Sequence, residues 1–150
     1  MREKTIASLI IAAALCATTS GCGSSDDRGA WTGTWVSTAS QQEVCPTGSH
    51  TTPLDGSLTI GDGADGELVT MPPNGCDLTW TVAGSLATLK ANQTCTVPGS
   101  VGGTWMPTFT SGTMSLAGTV ITLGDEGSAT LTITTTQTCS FTQSGPFTKS

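Results

Sequence analysis

The sequence contains no tyrosine, one histidine and few cations, and these absences narrow its possible functions. Its 150 residues include five Lys and Arg against eleven Asp and Glu, which gives a formal net charge of −6. Nucleic-acid binding depends on Lys and Arg that displace counterions from phosphates, and electrostatic attachment to anionic lipid depends on the same residues. The chain is therefore expected to bind neither nucleic acid nor an anionic membrane surface through charge.

Patterns typical of enzyme active sites are also missing. The single histidine, His50, is interpreted as a solvated residue of the loop 46–50, because no G-x-S-x-G turn is present to expose a nucleophilic serine. The sequence has no glycine-rich phosphate-binding loop. We expect no enzyme activity and no cofactor.

The acidic residues and cysteines form no metal-binding pattern. Most carboxylates stand beside glycines and are interpreted as turn residues, namely Asp62, Asp65, Asp125 and Glu126. The run 62–67 lacks the D-x-D-x-D-G spacing of an EF-hand. The cysteines beyond the N-terminal leader are 19 or more residues apart, whereas structural zinc sites use close pairs such as C-x-x-C. No metal site is expected.

One long apolar run is present, at the N-terminus. Arg2 and Lys4 precede the apolar segment 6–17, and small residues occupy positions 18–21. A basic start, an apolar stretch of about 7–15 residues and small residues before the cleavage point are typical of a secretory signal peptide. The segment is shorter than the roughly 20 residues of a membrane-spanning helix. Residues 1–21 are therefore predicted to be a signal peptide.

The run Ser20-Gly21-Cys22-Gly23 resembles the cleavage and lipidation site of bacterial lipoproteins. The resemblance implies that Cys22 becomes the first residue of the mature protein and carries acyl chains such as palmitate. Several acyl chains together anchor a protein stably to a membrane. Because Gly23 rather than Asp follows the cysteine, the resemblance also implies an exported protein that is lipid-anchored to the cell envelope at the outer membrane.

The rest of the chain divides into a tether and one domain. Residues 22–29 are polar, rich in glycine and serine, and are predicted to be a flexible tether. Residues 30–150 have the length of a single domain. Loss of the leader removes Arg2, Lys4 and Glu3, one net positive charge, so the mature chain would carry −7.

Four cysteines fall in the predicted domain, and they are Cys45, Cys76, Cys95 and Cys139. An exported protein folds in an oxidising compartment, so two disulfides are expected. Four cysteines allow three pairings, and sequence alone does not choose between them. Because Cys76 and Cys95 flank one predicted hairpin, a pairing of Cys76 with Cys95 and of Cys45 with Cys139 is favoured.

Apolar residues alternate with threonines through most of the domain. In residues 129–141, Ala129, Leu131, Ile133, Cys139 and Phe141 share one face, and threonines fill the other. Such alternation of β-branched residues predicts a half-buried strand. Glycine-rich turn signals separate the apolar runs at 61–66, 83–84, 118–119 and 124–127. About eight short antiparallel strands predict an all-β meander closed into a small up-and-down barrel, with a β-sandwich as the alternative.

The first strand carries Gly33-Thr34-Trp35, and a Gly-x-Trp at the start of a small exported β domain resembles the lipocalins and related calycins. In that family the tryptophan plugs the closed end of an eight-stranded barrel, a late arginine lies over it, and the open end holds an apolar ligand. This chain has no arginine after Arg28. The resemblance implies an apolar ligand and a cavity lined or plugged by Trp35, Trp80, Trp105 and Phe109.

Two functions are compatible with these observations. The first is an envelope-anchored lipoprotein whose disulfide-stabilised barrel is a non-catalytic structural or interaction module. The second is a carrier of a small apolar ligand, since a barrel of about eight strands can just hold one. The inward-facing residues are few and mostly aliphatic, which favours the first function.

Overall fold

The structure, a computed structural model, describes residues 28–99 and 102–150. The predicted signal peptide, Cys22 and all but the last two residues of the predicted tether lie outside these ranges. The described residues form a one-turn helix, α1 (Arg28–Trp31), and strands only. The strands are β1 (Gly33–Ser37), β2 (Ser40–Cys45), β3 (Gly48–Pro53), β4 (Gly56–Asp62), β5 (Glu67–Met71), β6 (Leu78–Ala83), β7 (Leu86–Leu89), β8 (Gln93–Thr94), β9 (Val97–Pro98), β10 (Thr104–Ala117), β11 (Val120–Thr132) and β12 (Thr136–Lys149).

Eight strands close into an antiparallel barrel. The sheet order runs β1, β4, β5, β6, β7, β10, β11, β12, and the pairing of β12 with β1 closes the circle. Because each barrel strand is antiparallel to its neighbours, short hairpins can connect most of them. The predicted all-β up-and-down barrel is therefore confirmed. Two insertions interrupt the meander, β2 with β3 after β1, and β8 with β9 after β7.

The three longest strands are β10, β11 and β12. One half of each strand belongs to the barrel, and the other half belongs to an extension of the sheet. In β10, Thr113–Ser115 pairs with β7, whereas the N-terminal part pairs with β8 and β9. In β12, the C-terminal end pairs with β1, whereas Ser140–Ser144 pairs with β2, and β2 pairs with the edge strand β3. We call this second part, which contains β2, β3, β8 and β9, the extension sheet.

A β-bulge in β10 separates its two halves. Phe109 pairs with Gly127 and Ser111 pairs with Glu126, so Thr110 is the extra residue. Before the bulge the odd-numbered Pro107 and Phe109 are buried, and after it the even-numbered Gly112 and Met114 are buried. One extra residue reverses the alternation of inward and outward side chains, which allows β10 to face the interior along its whole length.

One end of the barrel is closed by a tryptophan plug, formed by the fully buried Trp31 and Trp35. Trp35 Nε1 donates a hydrogen bond to Trp31 O at 2.8 Å, and Trp31 Nε1 donates to Gly84 O at 3.1 Å in the β6–β7 turn. The ammonium of Lys149 lies 5.3 Å from the centre of the Trp35 ring, within cation–π range, and donates to Ala30 O. Lys149 therefore joins the last strand to the tryptophan plug.

The predicted turns at 61–66, 83–84 and 118–119 are confirmed, since they connect β4 to β5, β6 to β7 and β10 to β11. The predicted single strand over 129–141 is wrong. It is a hairpin, because β11 ends at Thr132 and β12 begins at Thr136, and Ile133 in the turn is 46% exposed. The turn contains neither glycine nor proline, so the period-two pattern runs through it without an interruption.

Two disulfides tie the insertions to the barrel strands. Cys45 of β2 is bonded to Cys139 of β12, and Cys76, just before β6, is bonded to Cys95, just after β8. This is the pairing that the hairpin argument favoured. Within the described ranges, no helix is both long and apolar enough to traverse a bilayer.

Candidate ligand-binding cavity

A cavity of about 280 Å³ lies inside the barrel. It reaches the surface at the end away from the tryptophan plug, between the β3–β4 connection and the β5–β6 loop, which contribute Leu54–Gly56 and Pro72–Asn74 to its mouth. Pockets for small molecules typically have volumes of about 300–1,000 Å³. The cavity is therefore suited to a ligand of modest size.

The cavity walls are mainly apolar. Barrel strands and the extension sheet both contribute to them, with Leu58, Leu78, Trp80, Trp105, Phe109, Met114, Leu123 and Phe147. Three of the four residues proposed from the sequence, Trp80, Trp105 and Phe109, are thus brought together here. The fourth, Trp35, does not line the cavity and belongs to the plug.

Phe141 holds two of the aromatic walls in position. Its ring centre is 5.5 Å from that of Trp105 and 5.1 Å from that of Phe109, and the contact with Phe109 is edge-to-face. Aromatic pairs at these separations stabilise by about 0.5–1.5 kcal/mol beyond their buried area. The Trp105 and Phe109 walls are consequently part of a packed cluster.

The two indoles of the cavity differ in their hydrogen bonding. Trp80 Nε1 donates to Thr70 Oγ1 at 3.0 Å, and the Thr70 hydroxyl donates to Leu78 O at 3.3 Å. Trp105 Nε1 is buried and has no hydrogen-bond partner among the described residues. Buried polar groups are nearly always paired, so the Trp105 N–H is an unsatisfied buried donor within a wall residue.

Asp125 is the buried acid of the cavity. It lies in β11 opposite Gly112 of β10 and Gln143 of β12, and only 6% of the residue is exposed. Its Oδ1 has no hydrogen-bond partner among the described residues. Burial removes water from the carboxylate and raises the pKa of Asp125 from 3.8 to about 7. Near neutral pH the ligand-free cavity therefore contains a mixture of acid and carboxylate.

The prediction that 124–127 form a turn is wrong. These residues belong to a strand, and Asp125 therefore lines the cavity. They lie in the middle of β11, where Gly127, together with Gly112 of the paired strand β10, allows close packing. A Cβ on Gly127 would lie 2.8 Å from Phe141 Cζ, and a Cβ on Gly112 would lie 2.8 Å from Asp125 Cβ. Glycine within a strand often marks such an approach. The period-two series 121, 123, 125 was the sequence signal that could have identified Asp125 as inward-facing.

A cluster of ionisable residues outside the cavity lining lies on the extension sheet. Glu43, Cys45 and Cys139 are close enough together to be considered as metal ligands, but both sulfurs belong to the disulfide. His50 is exposed on β3, and its Nε2 is 3.3 Å from a carboxylate oxygen of Glu43. His50 is therefore solvated as predicted, but it belongs to an edge strand and not to a loop.

Comparison with known proteins found no significant match to a protein-family model, a curated sequence or a solved structure. The barrel and its cavity are therefore the basis of the functional proposal.

Proposed function

We propose that this protein is an exported lipoprotein, anchored at the outer membrane by acyl chains on Cys22, whose barrel binds a small, largely apolar ligand. The cavity is the observation that supports binding, because it is plugged at one end, open at the other and lined by aromatic and aliphatic side chains. A lined, preformed cavity with a few polar groups is the usual form of a small-molecule site.

The lining of the cavity combines an apolar surface with a few polar side chains. The walls are aromatic and aliphatic, and Asp125 and Gln143 add a carboxyl and an amide group to the lining. Burial of a ligand's apolar surface against these walls favours binding. The cavity therefore favours a ligand with an apolar body and at least one polar group.

The composition of the walls supports binding over catalysis. Among the described residues that line the cavity, Asp125 and Asp55 are the titratable ones, and Asp55 is exposed at the mouth. General acid–base catalysis commonly uses two groups held within hydrogen-bond reach of the reacting atoms. One buried acid beside aromatic walls is better suited to orienting a ligand.

The alternative function, a structural or interaction module, is supported by the edge strand β3. All six of its residues are exposed, and the strand ends the path of the sheet. An edge strand can accept a strand of another protein. This alternative would replace ligand binding if the cavity takes up no ligand.

Binding of a neutral fluorescent naphthylamine probe tests the proposal. We expect saturable binding to the wild type, and a loss of affinity of at least about tenfold in Leu123→Trp, because the larger side chain fills the space that the ligand needs. Leu131→Trp is the matched control, since Leu131 is in the same strand but outside the cavity lining. Absence of binding by the wild type, or equal losses in the two variants, would refute a role for the cavity.

A further inference from the structure

The described lining of the cavity contains carboxyl groups but no cationic side chain. Its buried carboxyl, Asp125, is 6% exposed and has an oxygen without a partner among the described residues. No Lys, Arg or His is among the described residues that line the cavity. An ionised Asp125 therefore has no cationic group beside it among the described lining residues.

We infer that the cavity binds a small hydrophobic amine, with the ligand's ammonium group paired to the carboxylate of Asp125. This inference rests on the proposed function, because it names the chemical class of ligand that the cavity takes. The ammonium supplies the positive charge that the described lining lacks. Hydrogen bonds between charged groups are about twice as strong as those between neutral groups.

The aromatic walls suit a cation as well as an apolar body. Trp80, Trp105 and Phe109 present rings to the same cavity as Asp125. The face of an aromatic ring attracts a nearby cation, and tryptophan does so most strongly. The rest of the ligand can then bury its apolar surface against Leu58, Leu78 and Leu123.

The carboxylate of Asp125 also disfavours anionic ligands. An anionic ligand would place its charge in the same cavity as Asp125 and in the field of a chain with net charge −6.

Binding of an amine should depend on pH through Asp125. The residues opposite it, Gly112 of β10 and Gln143 of β12, are uncharged, and the other titratable side chain of the described lining is Asp55 at the mouth. Glu126 is adjacent in the strand but exposed, and its carboxylate accepts a hydrogen bond from Ser111. Because burial raises the pKa of Asp125 to about 7, acidification below pH 7 removes the negative charge that an ammonium group needs.

The test compares 2-phenylethylamine with 2-phenylethanol, which have the same apolar body and differ in the charged group. With the mature protein at pH 8, calorimetry should show the amine binding about 10- to 100-fold more tightly than the alcohol. From pH 8 to pH 6 the amine affinity should fall about tenfold, as the ionised fraction of Asp125 falls. An amine with a pKa near that of lysine stays protonated over this range.

Asp125→Asn and Glu126→Gln provide the variant and its matched control. Asp125→Asn should reduce amine affinity to the level of the alcohol and abolish the pH dependence. Glu126→Gln should behave as the wild type. Equal affinities of the wild type for amine and alcohol, or an unchanged preference in Asp125→Asn, would overturn the amine assignment while leaving the cavity a binding site. Binding of neither ligand and of no neutral probe would overturn the proposed function as well.

Discussion

At the scale of single residues, Asp125 couples the stability of the barrel to pH. Its pKa is about 7 in the folded protein because of burial, against 3.8 as its ordinary value. A folded state that holds its proton more tightly than the unfolded state loses stability as the pH rises. The contribution of Asp125 is therefore fully present below about pH 4 and is lost progressively up to about pH 7.

Asp125→Asn should remove this pH dependence. The unfolding free energy of the wild type, relative to that of the variant, should fall by up to about 4 kcal/mol between pH 4 and pH 8. Urea unfolding at several pH values measures this difference, and Glu126→Gln, which changes an exposed neighbour, is the control. A difference that is constant across the pH range would show that Asp125 is not held protonated by burial.

The residue scale is also where prediction from sequence was least complete. Four aromatic residues could be proposed because the Gly-x-Trp resemblance implies a barrel cavity lined or plugged by such side chains, and they are Trp35, Trp80, Trp105 and Phe109. Asp125 was assigned to a turn, because a Gly-Asp-Glu-Gly run has the composition of one. Its place depends on contacts of Gly127 with Phe141 and Thr108 on two other strands, and local sequence does not reveal such contacts.

At the scale of elements, the bulge in β10 aligns the two halves of the cavity wall. Without the extra residue Thr110, either Phe109 or Met114 would face outward, since successive residues of a strand point to opposite sides. The existence of the strands and most turns followed from alternation and glycine positions. The bulge and the length of β10, β11 and β12 did not, because they depend on which strands pair across the sheet.

The two disulfides should have separable effects. Their cysteines are separated by 94 and 19 positions in the sequence, so loss of the Cys45–Cys139 bond should destabilise by about 4.7 kcal/mol and loss of the Cys76–Cys95 bond by about 3.2 kcal/mol in the chain-entropy description. Cys76 lines the cavity beside the β5–β6 loop, whereas Cys45 and Cys139 do not. The Cys76→Ser/Cys95→Ser variant should therefore also weaken ligand binding severalfold.

Urea unfolding and probe titration of the two double variants measure these effects side by side. The Cys45→Ser/Cys139→Ser variant is the control for binding, because its bond joins strands of the extension sheet away from the cavity lining. Equal probe affinities of the two folded variants would show that the Cys76–Cys95 bond does not hold the mouth in its binding conformation.

At the scale of the whole molecule, closure of the barrel determines which strand edges are paired and which are left open. Pairing of β12 with β1 brings the last strand beside the first, which leaves the β3 edge on the extension sheet. The antiparallel barrel could be predicted from the spacing of short strands, since consecutive hairpins lead naturally to a meander. The extension sheet could not, because its strands resemble the barrel strands in composition and differ only in their partners.

The anchoring of this barrel is predicted from Cys22 alone. If acyl chains on Cys22 hold the protein at the membrane, Cys22→Ser in the full-length chain should move it from the membrane fraction to the soluble fraction of a bacterial host, because the variant lacks the residue that would carry these chains. Cys16→Ser is the matched control, since Cys16 lies within the apolar run of the predicted leader and should have no effect on the distribution. Mass spectrometry of the mature N-terminus should detect acyl chains in the wild type and in Cys16→Ser. A Cys22→Ser protein that remains with the membranes would place the anchor elsewhere in the chain.

Ligand binding by the released Cys22→Ser protein can be measured without lipid. Its affinity should equal that of the anchored form, because Lys149 and the tryptophan plug separate the N-terminal end of the barrel from the cavity.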